Sequence, residues 1–472
     1  MGLIRLPINQ GMVKAVDEVG LSNYGAAMVD VYVDELGNIN RRPGLVELCD
    51  LGTSAAVDGL FWWDEEQKVI AVSNGSTFEV TDSSGTIGMF TGDSFSVGTR
   101  VTFADFGTAL YAANGGAIKA ISTSDTVTDM ADVDAPTAVT HVAVMDRYLI
   151  ANESGTGNFH WSDVNAPTDW SGYYAEAEGR PDDILALDAK NLELSFLGSK
   201  TLEIWDNDGV TPFIRLQQGF VQSGTVAKYS FTWCNGPQTF LWLDESRRVV
   251  ELRGRTAVPI SLSMNSYIQG FTSVSDAIGD YVEVSGRPSY VIQFPTEGKC
   301  LVWVFVASNW YEWGNWNSTT ATYDRFRGNC YCLAPTWNLT LVGDRANGKI
   351  YKFSNTTYED NSSTLRSVVR TAHYNHNTEV KRKFCNGIYC RLKRTNVVSV
   401  DDTPDLMVKY RNNGSSTWSN EQSITLQQVG DTEFRGKLSR LGSYYSRQWE
   451  FSLTDAYPLC LVSVEEDVEM ER

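Results

Sequence analysis

The chain has 472 residues, of which 42% are hydrophobic and 12% aromatic, and its formal net charge is −19. These values describe a folded protein with room for more than one domain, and they exclude a long disordered chain. The charge is uneven: residues 1–364 hold 24 Lys and Arg against 44 Asp and Glu, whereas residues 365–472 hold 15 against 14. An acidic body of this kind is not expected to grip nucleic acid, because phosphate binding requires Lys and Arg to displace counterions.

Residues 1–57 are predicted to form lead-in strands. Residues 27–34 alternate between apolar and polar side chains, as a half-buried strand does, and Gly37 and Asn38 lie in the turn of a hairpin. A strand from this segment is a candidate for closing a propeller ring. The start of the chain has no apolar signal-peptide core, and no run of about 18 apolar residues predicts a membrane span. We therefore expect assembly in a cytoplasm and no membrane partner.

Residues 58–360 carry a repeat with a period in the low forties. Seven segments each hold an apolar, β-rich run, a tight Gly, Asn or Asp turn and a second β-rich run, and they start near Asp58, Gly98, Val139, Asp183, Val226, Ala277 and Thr320. Such a period is typical of a four-stranded propeller blade and also of armadillo or HEAT repeats. The segments lack the Ala-, Leu-, Glu- and Lys-rich runs of helical repeats. The sequence therefore predicts an all-β fold with a β-propeller of six to seven blades.

A polar stretch at residues 354–364 marks a predicted boundary, and residues 365–472 are predicted to form a C-terminal β-sandwich-like domain because strand and turn signals alternate through them. This part opens with a basic block, residues 365–394, which holds eight Lys and Arg against Glu379. The candidate interface residues of the block are Lys381, Arg382, Lys383, Arg391, Lys393 and Arg394. Three interpretations stay open: contact with nucleic acid, docking onto a neighbour's acidic surface, and a solvated strand face.

No local motif predicts a catalytic residue, a cofactor or a metal. The sequence has no nucleophile elbow, zinc-protease motif, P-loop or dinucleotide fingerprint. His373 and His376 lack a further ligand at metal spacing, so we expect both to be exposed in a polar strand. The eight cysteines are expected to be buried free thiols. The aromatic residues between 303 and 316 are expected to be blade core, with sugar stacking as the alternative.

Two stretches carry a resemblance to a known family. Residues 32–45 read YVDELGNINRRPGL, and residues 173–184 read YYAEAEGRPDDI. The second stretch continues through LGSKTLEIW at 197–205 to QSGTVA at 222–227. In order and spacing these segments resemble the tail hub proteins of short-tailed bacteriophages (podoviruses), also called packaged-DNA stabilisation proteins or tail accessory factors.

The resemblance implies a virion structural protein built on a β-propeller. It implies a hexameric ring below the portal and its adaptor ring, which supports a tail needle or plug and the tailspikes. Such a ring retains packaged DNA and forms part of the ejection channel, through which DNA passes without sequence-specific binding. The family has no catalytic residues to transfer to this sequence. The alternative function, from another class, is a glycan-binding or glycan-hydrolysing propeller; hydrolysis would require a pocket with paired carboxylates.

Overall fold

The fold was analysed in a computed structural model that describes residues 2–9, 11–14, 25–177, 179–209, 212–393, 404–426 and 433–471. Strands make up most of this structure. Its helical elements are one short helix, α1 (Asn265–Gln269), and three 3₁₀ turns at Lys228–Ser230, Leu262–Met264 and Pro335–Trp337. No helix in the described ranges has the length and apolar character needed to cross a membrane. The all-β prediction is confirmed.

Five strands precede the first blade: β1 (Gly2–Arg5), β2 (Gly25–Val29), β3 (Val31–Val33), β4 (Ile39–Arg41) and β5 (Gly44–Asp50). The predicted hairpin joins β3 to β4. Its turn is held by the Asp34 carboxylate, which accepts hydrogen bonds from the backbone amides of Leu36 and Asn38 at 3.0 and 2.8 Å. Gly37 lies in this turn at φ +79°, a conformation that glycine adopts without a steric penalty.

Five four-stranded antiparallel blades follow in chain order. They are blade 1, β6 (Val57–Trp63), β7 (Lys68–Ser73), β8 (Ser76–Val80) and β9 (Ile87–Met89); blade 2, β11 (Thr102–Asp105), β12 (Ala109–Ala113), β13 (Lys119–Ser122) and β14 (Thr126–Asp129), with β10 (Thr91–Gly92) added at its edge; blade 3, β15 (Val142–Met145), β16 (Tyr148–Asn152), β17 (Asn158–Trp161) and β18 (Tyr174–Glu176); blade 4, β19 (Ile184–Lys190), β20 (Glu193–Gly198), β21 (Leu202–Asp206) and β22 (Ile214–Val221); and blade 5, β23 (Thr232–Cys234), β24 (Thr239–Leu243), β25 (Val249–Arg253) and β26 (Thr256–Pro259).

Two further four-stranded units complete the ring. The shared blade consists of β27 (Ile278–Val284), β28 (Arg287–Phe294), β29 (Lys299–Val304) and β30 (Asn309–Glu312), and a hairpin of β31 (Gly314–Asn317) and β32 (Thr322–Arg325) follows it. The closing blade consists of β33 (Gly328–Ala334), β34 (Leu339–Asp344) and β35 (Lys349–Ser354), and its fourth strand is the N-terminal β5, which pairs antiparallel with β35. Two short strands, β36 (Glu359–Asp360) and β37 (Ser363–Thr364), extend this sheet.

The blade count falls within the predicted range. Six blades are sheets of their own, namely blades 1 to 5 and the closing blade. The shared blade is instead one end of a nine-stranded sheet in the order β27-β28-β29-β30-β2-β38-β44-β40-β41. The later strands are β38 (Ser367–Thr371), β39 (Lys383–Lys393), β40 (Asp405–Asn412), β41 (Gln422–Thr425), β42 (Glu433–Ser439), β43 (Ser443–Tyr444), β44 (Arg447–Leu453) and β45 (Cys460–Met470).

The C-terminal strands lie in sheets that also contain N-terminal strands. Besides the nine-stranded sheet, they form a seven-stranded sheet in the order β3-β4-β45-β39-β42, in which β1 pairs with β45 and β43 pairs with β39. One hydrophobic core joins the shared blade to these strands, for example through Val291, Trp449 and Val464, and it also includes Tyr351 of the closing blade. The divisions at 1–57, 58–360 and 365–472, and a separate C-terminal β-sandwich, remain predictions.

The remaining core is a set of layers between neighbouring blades. One layer packs Trp63 and Ile70 of blade 1 against Leu110 and Ile121 of blade 2, and comparable layers separate the following pairs. A further layer packs the closing blade against blade 1. Because a blade is covered on both faces, its middle strands are buried along their whole length: all six residues of β7 are buried, including the polar Lys68 and Ser73 at its two ends. Because both faces of the second strand of each blade are covered by neighbouring blades, this strand is the most apolar segment of its repeat.

Candidate functional site

The first strands of the blades surround a cavity of about 400 Å³ on the propeller axis. Strands β6, β11, β15, β19, β23, β27 and β33 all contribute to its wall. A volume of this size is in the range of small-molecule pockets, roughly 300–1,000 Å³. It is far too small for a DNA duplex, so the cavity is not a passage for a genome.

One arginine spans one end of this cavity. Arg100 lies directly before β11 of blade 2, and its guanidinium donates to the Asn329 carbonyl of the closing blade at 3.0 Å. The same guanidinium forms an ion pair with the Asp280 carboxylate of the shared blade. Burial raises the pKa of Asp280 to about 6, and Arg100 opposes this rise. The arginine therefore ties blade 2 to two blades that are distant from it in the chain.

Other polar groups stand at the same end of the first strands. His141, which is 7% exposed, stacks on the Tyr229 ring with 5.4 Å between the ring centroids. Burial lowers the pKa of His141 to about 3, so this imidazole is neutral at physiological pH. Asp58 of blade 1 accepts a hydrogen bond from the Gly98 amide at 3.0 Å, and burial raises its pKa to about 6. The sequence analysis missed this convergence, although Asp58, Arg100 and His141 all lie within two residues of the starts of successive repeats.

The RRPG motif near the N-terminus is a buried structural joint. The Arg42 side chain donates to Asp30 at 2.7 Å and to both carboxylate oxygens of Asp360 at 2.9 and 2.5 Å. The three side chains are almost completely buried. Arg41 donates to the carbonyls of Leu365 and Tyr457. These contacts fasten the lead-in strands to residues more than 300 positions away, which gives the motif a structural role.

The second motif is a joint between two chain segments at blade 4. The Asp182 carboxylate accepts hydrogen bonds from the amides of Lys200 and Thr201 at 2.7 and 3.1 Å, and from the Thr201 hydroxyl at 3.1 Å. Gly224 packs on the same turn so closely that a Cβ atom there would lie 2.1 Å from the Lys200 nitrogen. Asp182, Thr201 and Gly224 thus lock the turn of the β20–β21 hairpin.

The structure removes one residue, Lys383, from the surface predicted for the basic block. Lys381, Arg382, Arg391 and Lys393 are exposed, and Arg394 lies outside the described residues. Lys383 is instead completely buried, where its ammonium donates to the carbonyls of Thr378 and Tyr445, so it contributes to no surface of this chain. Its place at the start of β39 puts its side chain on the core face of the sheet.

A row of basic side chains does lie on the outer face of this sheet, and it includes residues that the sequence analysis missed. Strand β42 pairs with β39 so that Arg435 lies opposite Arg391 and Lys437 lies opposite Tyr389. The alternation of the charged residues Glu433, Arg435 and Lys437 along β42 is the sequence signal from which this solvent-facing row could have been predicted. Within the chain, Arg391 pairs with Glu433 at 2.6 Å and Arg435 with Glu465 at 3.5 Å. We call Arg391, Lys393, Arg435 and Lys437 the basic face.

The remaining candidates are part of the packed structure. His373 and His376 are 5% and 6% exposed, so the expectation of two exposed histidines is wrong. Glu466 and the Tyr444 hydroxyl, at 3.2 and 2.8 Å from the His376 imidazole, surround it in the core. The described residues contain no group of His, Cys, Asp and Glu side chains that can hold a metal. All eight cysteines are free and buried. Trp310, Tyr311 and Trp313 of the aromatic run are buried as well.

Three of the solved structures that match this chain are distant likenesses. The WD40 repeats of RRP9 align with a TM-score of 0.41 at 10% identity, covering 66% of this chain and 99% of that chain. The N-terminal domain of Nup159 gives 0.41 at 10% identity, with 70% and 100% covered. The extracellular domain of the putative one component system BT4673 from B. thetaiotaomicron gives 0.44 at 10% identity, with 92% and 62% covered. Likenesses at this level carry no argument about function.

A match to a family model shows the family to which the chain belongs. No curated protein matches the sequence. The model described as Phage_stabilise, "Bacteriophage P22 Gp10, beta-propeller", matches residues 4–358. This region contains both stretches that carry the resemblance and all blades of the propeller. A structural family of this kind points to a virion component without enzymatic activity. Because the match spans well over half of the chain, the protein belongs to the bacteriophage P22 Gp10 β-propeller family of phage structural tail proteins.

Proposed function

We propose that the protein is a hub of a short phage tail. It forms a hexameric ring that connects the portal and its adaptor ring to the tail needle and tailspikes, retains packaged DNA and forms part of the ejection channel. The family match over residues 4–358 carries this proposal. In this role the protein acts through its interfaces, and it needs no catalytic residue or cofactor.

The size of the axial cavity determines where DNA would pass. Side chains from all blades line the cavity, and Arg100 bridges one end of it. A duplex therefore cannot pass through a single propeller. In the proposed ring, the channel lies between the copies, on the axis of the assembly. A net acidic surface on residues 1–364 suits such a channel, since like charge keeps DNA from adhering to the wall.

We also propose from the charge distribution which surface contacts a neighbouring subunit or tail protein. The basic face lies on the outer side of the seven-stranded sheet, whereas residues 1–364 carry a large acidic excess. We expect the basic face to dock on the acidic propeller surface of a neighbouring subunit or tail protein. Complementary charge of this type mainly accelerates association and excludes wrong partners, and its effect weakens as salt rises.

Native mass spectrometry of the full chain tests the hub role, first alone and then mixed with the portal–adaptor assembly of the same phage. Six copies recruited per assembly is the expected result. A chain that stays monomeric and ignores the assembly would refute the proposal. The isolated chain need not form a ring, because a preformed portal–adaptor ring can serve as the template.

Charge reversal on the basic face tests the docking surface. Lys393→Glu combined with Lys437→Glu is expected to slow association with the assembly about tenfold or more at low salt, and much less at high salt, because steering depends on screened charge. The matched control is Lys200→Glu combined with Arg253→Glu, since both residues are exposed, in blades 4 and 5, and the pair changes the net charge by the same amount. An equal effect of the control variant would show that only net charge matters and would eliminate the basic face as the contact.

A further inference from the structure

We propose that Asn235 is a site of spontaneous deamidation, which the protein promotes through a proton relay from Gly236 to Tyr281 and Glu283. The site lies in the turn between β23 and β24 of blade 5, beside the axial cavity. The reaction replaces a neutral carboxamide at the cavity wall by a carboxylate. It takes place within one chain, so it is independent of the proposed tail role.

The chain contains six Asn-Gly dipeptides, at Asn74, Asn114, Asn235, Asn347, Asn386 and Asn413. A glycine after an asparagine favours deamidation, because the glycine nitrogen must attack the side-chain carboxamide and no Cβ atom obstructs the approach. The attack also requires that the asparagine side chain can turn freely and that water reaches it. The surroundings of the six asparagines therefore decide which of them reacts.

Five of the six asparagines are restrained. Hydrogen bonds to their side chains hold Asn114, Asn347 and Asn413 in place. The backbone restrains the other two: Asn74 lies in a tight hairpin turn at φ +52°, and Asn386 lies within strand β39. We therefore expect all five to react slowly.

Asn235 has none of these restraints. It is exposed, its φ angle lies outside the left-handed region, and its side chain makes no hydrogen bond to the part of the chain that the structure describes. The following glycine packs closely against the shared blade: a Cβ atom on Gly236 would lie 2.8 Å from the Pro288 Cβ and 2.9 Å from the Tyr281 hydroxyl oxygen. Glycine at this position therefore lets the tyrosine hydroxyl reach the backbone nitrogen.

Two hydrogen bonds connect the attacking nitrogen to a carboxylate. The Gly236 amide donates to the Tyr281 hydroxyl at 3.0 Å, and this hydroxyl donates to the Glu283 carboxylate at 2.6 Å. Tyr281 and Glu283 are two residues apart in β27, so their side chains lie on the same face of the sheet. Burial raises the pKa of Tyr281 and Glu283 adds to this rise, so the hydroxyl keeps the proton that it donates. The arrangement supplies a base for the weakly acidic amide proton.

The reaction begins when the Gly236 nitrogen forms a bond to Cγ of Asn235. As it does so, the amide proton passes to the Tyr281 oxygen and the tyrosine proton passes to Glu283. The bond between Cγ and the carboxamide nitrogen breaks, and this nitrogen takes a proton from water and leaves as ammonia. Glu283 returns its proton to the hydroxide that remains. Water then opens the cyclic imide and gives aspartate or isoaspartate at residue 235. Tyr281 contacts the reacting nitrogen and is the catalytic residue, whereas Glu283 acts through it.

The test is incubation of the folded full chain in mildly alkaline buffer, followed by digestion and mass spectrometry of the peptides that contain the six Asn-Gly dipeptides. Residue 235 is expected to deamidate faster than the other five sites. Tyr281→Phe removes the relay and is expected to slow the reaction at residue 235 about tenfold or more, since a positioned base typically contributes at least that factor. Glu283→Gln retains a hydrogen-bond acceptor for Tyr281 but removes the base, so we expect a similar slowing. The rates at the other five sites should stay unchanged in both variants.

Tyr148→Phe is the matched control, because Tyr148 is a partly buried tyrosine of blade 3 that packs against Phe213. Its rate at residue 235 is expected to equal that of the unaltered protein. If Tyr281 only held the turn in place, Tyr281→Phe would loosen the turn and speed the reaction, so the direction of the change distinguishes the two roles. The proposal is overturned if residue 235 reacts no faster than the other sites, if Tyr281→Phe reacts as fast as the unaltered protein or faster, or if Tyr148→Phe is slowed equally. Thermal unfolding of the variants confirms that they are folded before rates are compared.

Discussion

The buried joint at Arg42 gives the strongest prediction about stability. Replacing Arg42 by Met keeps much of the side-chain volume but removes the only cation that contacts the carboxylates of Asp30 and Asp360 in the described structure. Both carboxylates are almost completely buried, so neither can turn to water. Breaking a buried ion pair on one side typically costs about 3–5 kcal/mol of unfolding free energy. We expect a loss of this size for Arg42→Met.

The assay is urea unfolding followed by tryptophan fluorescence, with Arg391→Met as the matched control. Arg391 also pairs with a carboxylate, that of Glu433 at 2.6 Å, but both side chains are about half exposed. Exposed pairs contribute about 0–1 kcal/mol, so the control should unfold almost like the unaltered protein. Adding Asp360→Asn to Arg42→Met should recover part of the loss, because it removes one uncompensated buried charge. If Arg42→Met is no more destabilised than Arg391→Met, the joint does not stabilise the fold as reasoned.

Three further predictions concern single sites. Burial raises the folded-state pKa of Asp30 from 3.8 to about 7, so its contribution to stability is complete below pH 3.8 and is lost as the pH rises through 7. The free energy of unfolding of the unaltered protein, relative to that of Asp30→Asn, should therefore fall between pH 3.8 and 7. A difference in urea midpoints that stays constant over this range would contradict the prediction. Gly224→Ala should lower the unfolding free energy by about 2 kcal/mol or more, since its Cβ would lie 2.1 Å from the Lys200 nitrogen, whereas Gly116→Ala, which has open space around it, should change it little. Burial raises the pKa of Cys49 to about 12 and all eight thiols are buried, so iodoacetamide should label the folded protein slowly and the urea-unfolded protein at all eight sites; fast labelling of the folded chain would show that the thiols are accessible.

Local signals in the sequence predicted the propeller. The seven predicted repeat starts lie within eight residues of the first strands of the blades, as Asp58 against Val57 and Ala277 against Ile278 show. Such signals are reliable because a blade strand is covered on both faces and a hairpin needs a particular turn. Asn74 and Gly75, at φ +52° and +77°, are an example of a turn that the residue types alone specify.

The sequence alone determined which segments are strands and roughly where each blade begins, since propensity, alternation and turn chemistry act between residues close together in the chain. Only the tertiary structure decided which distant edges pair, as β5 with β35 and β2 with β38, because any strand edge presents the same backbone donors and acceptors. It also decided that Lys383 and His376 are buried and that Arg100 meets Asp280 across 180 positions. Burial and charge pairing depend on what packs against a residue, and that information is not local in the chain.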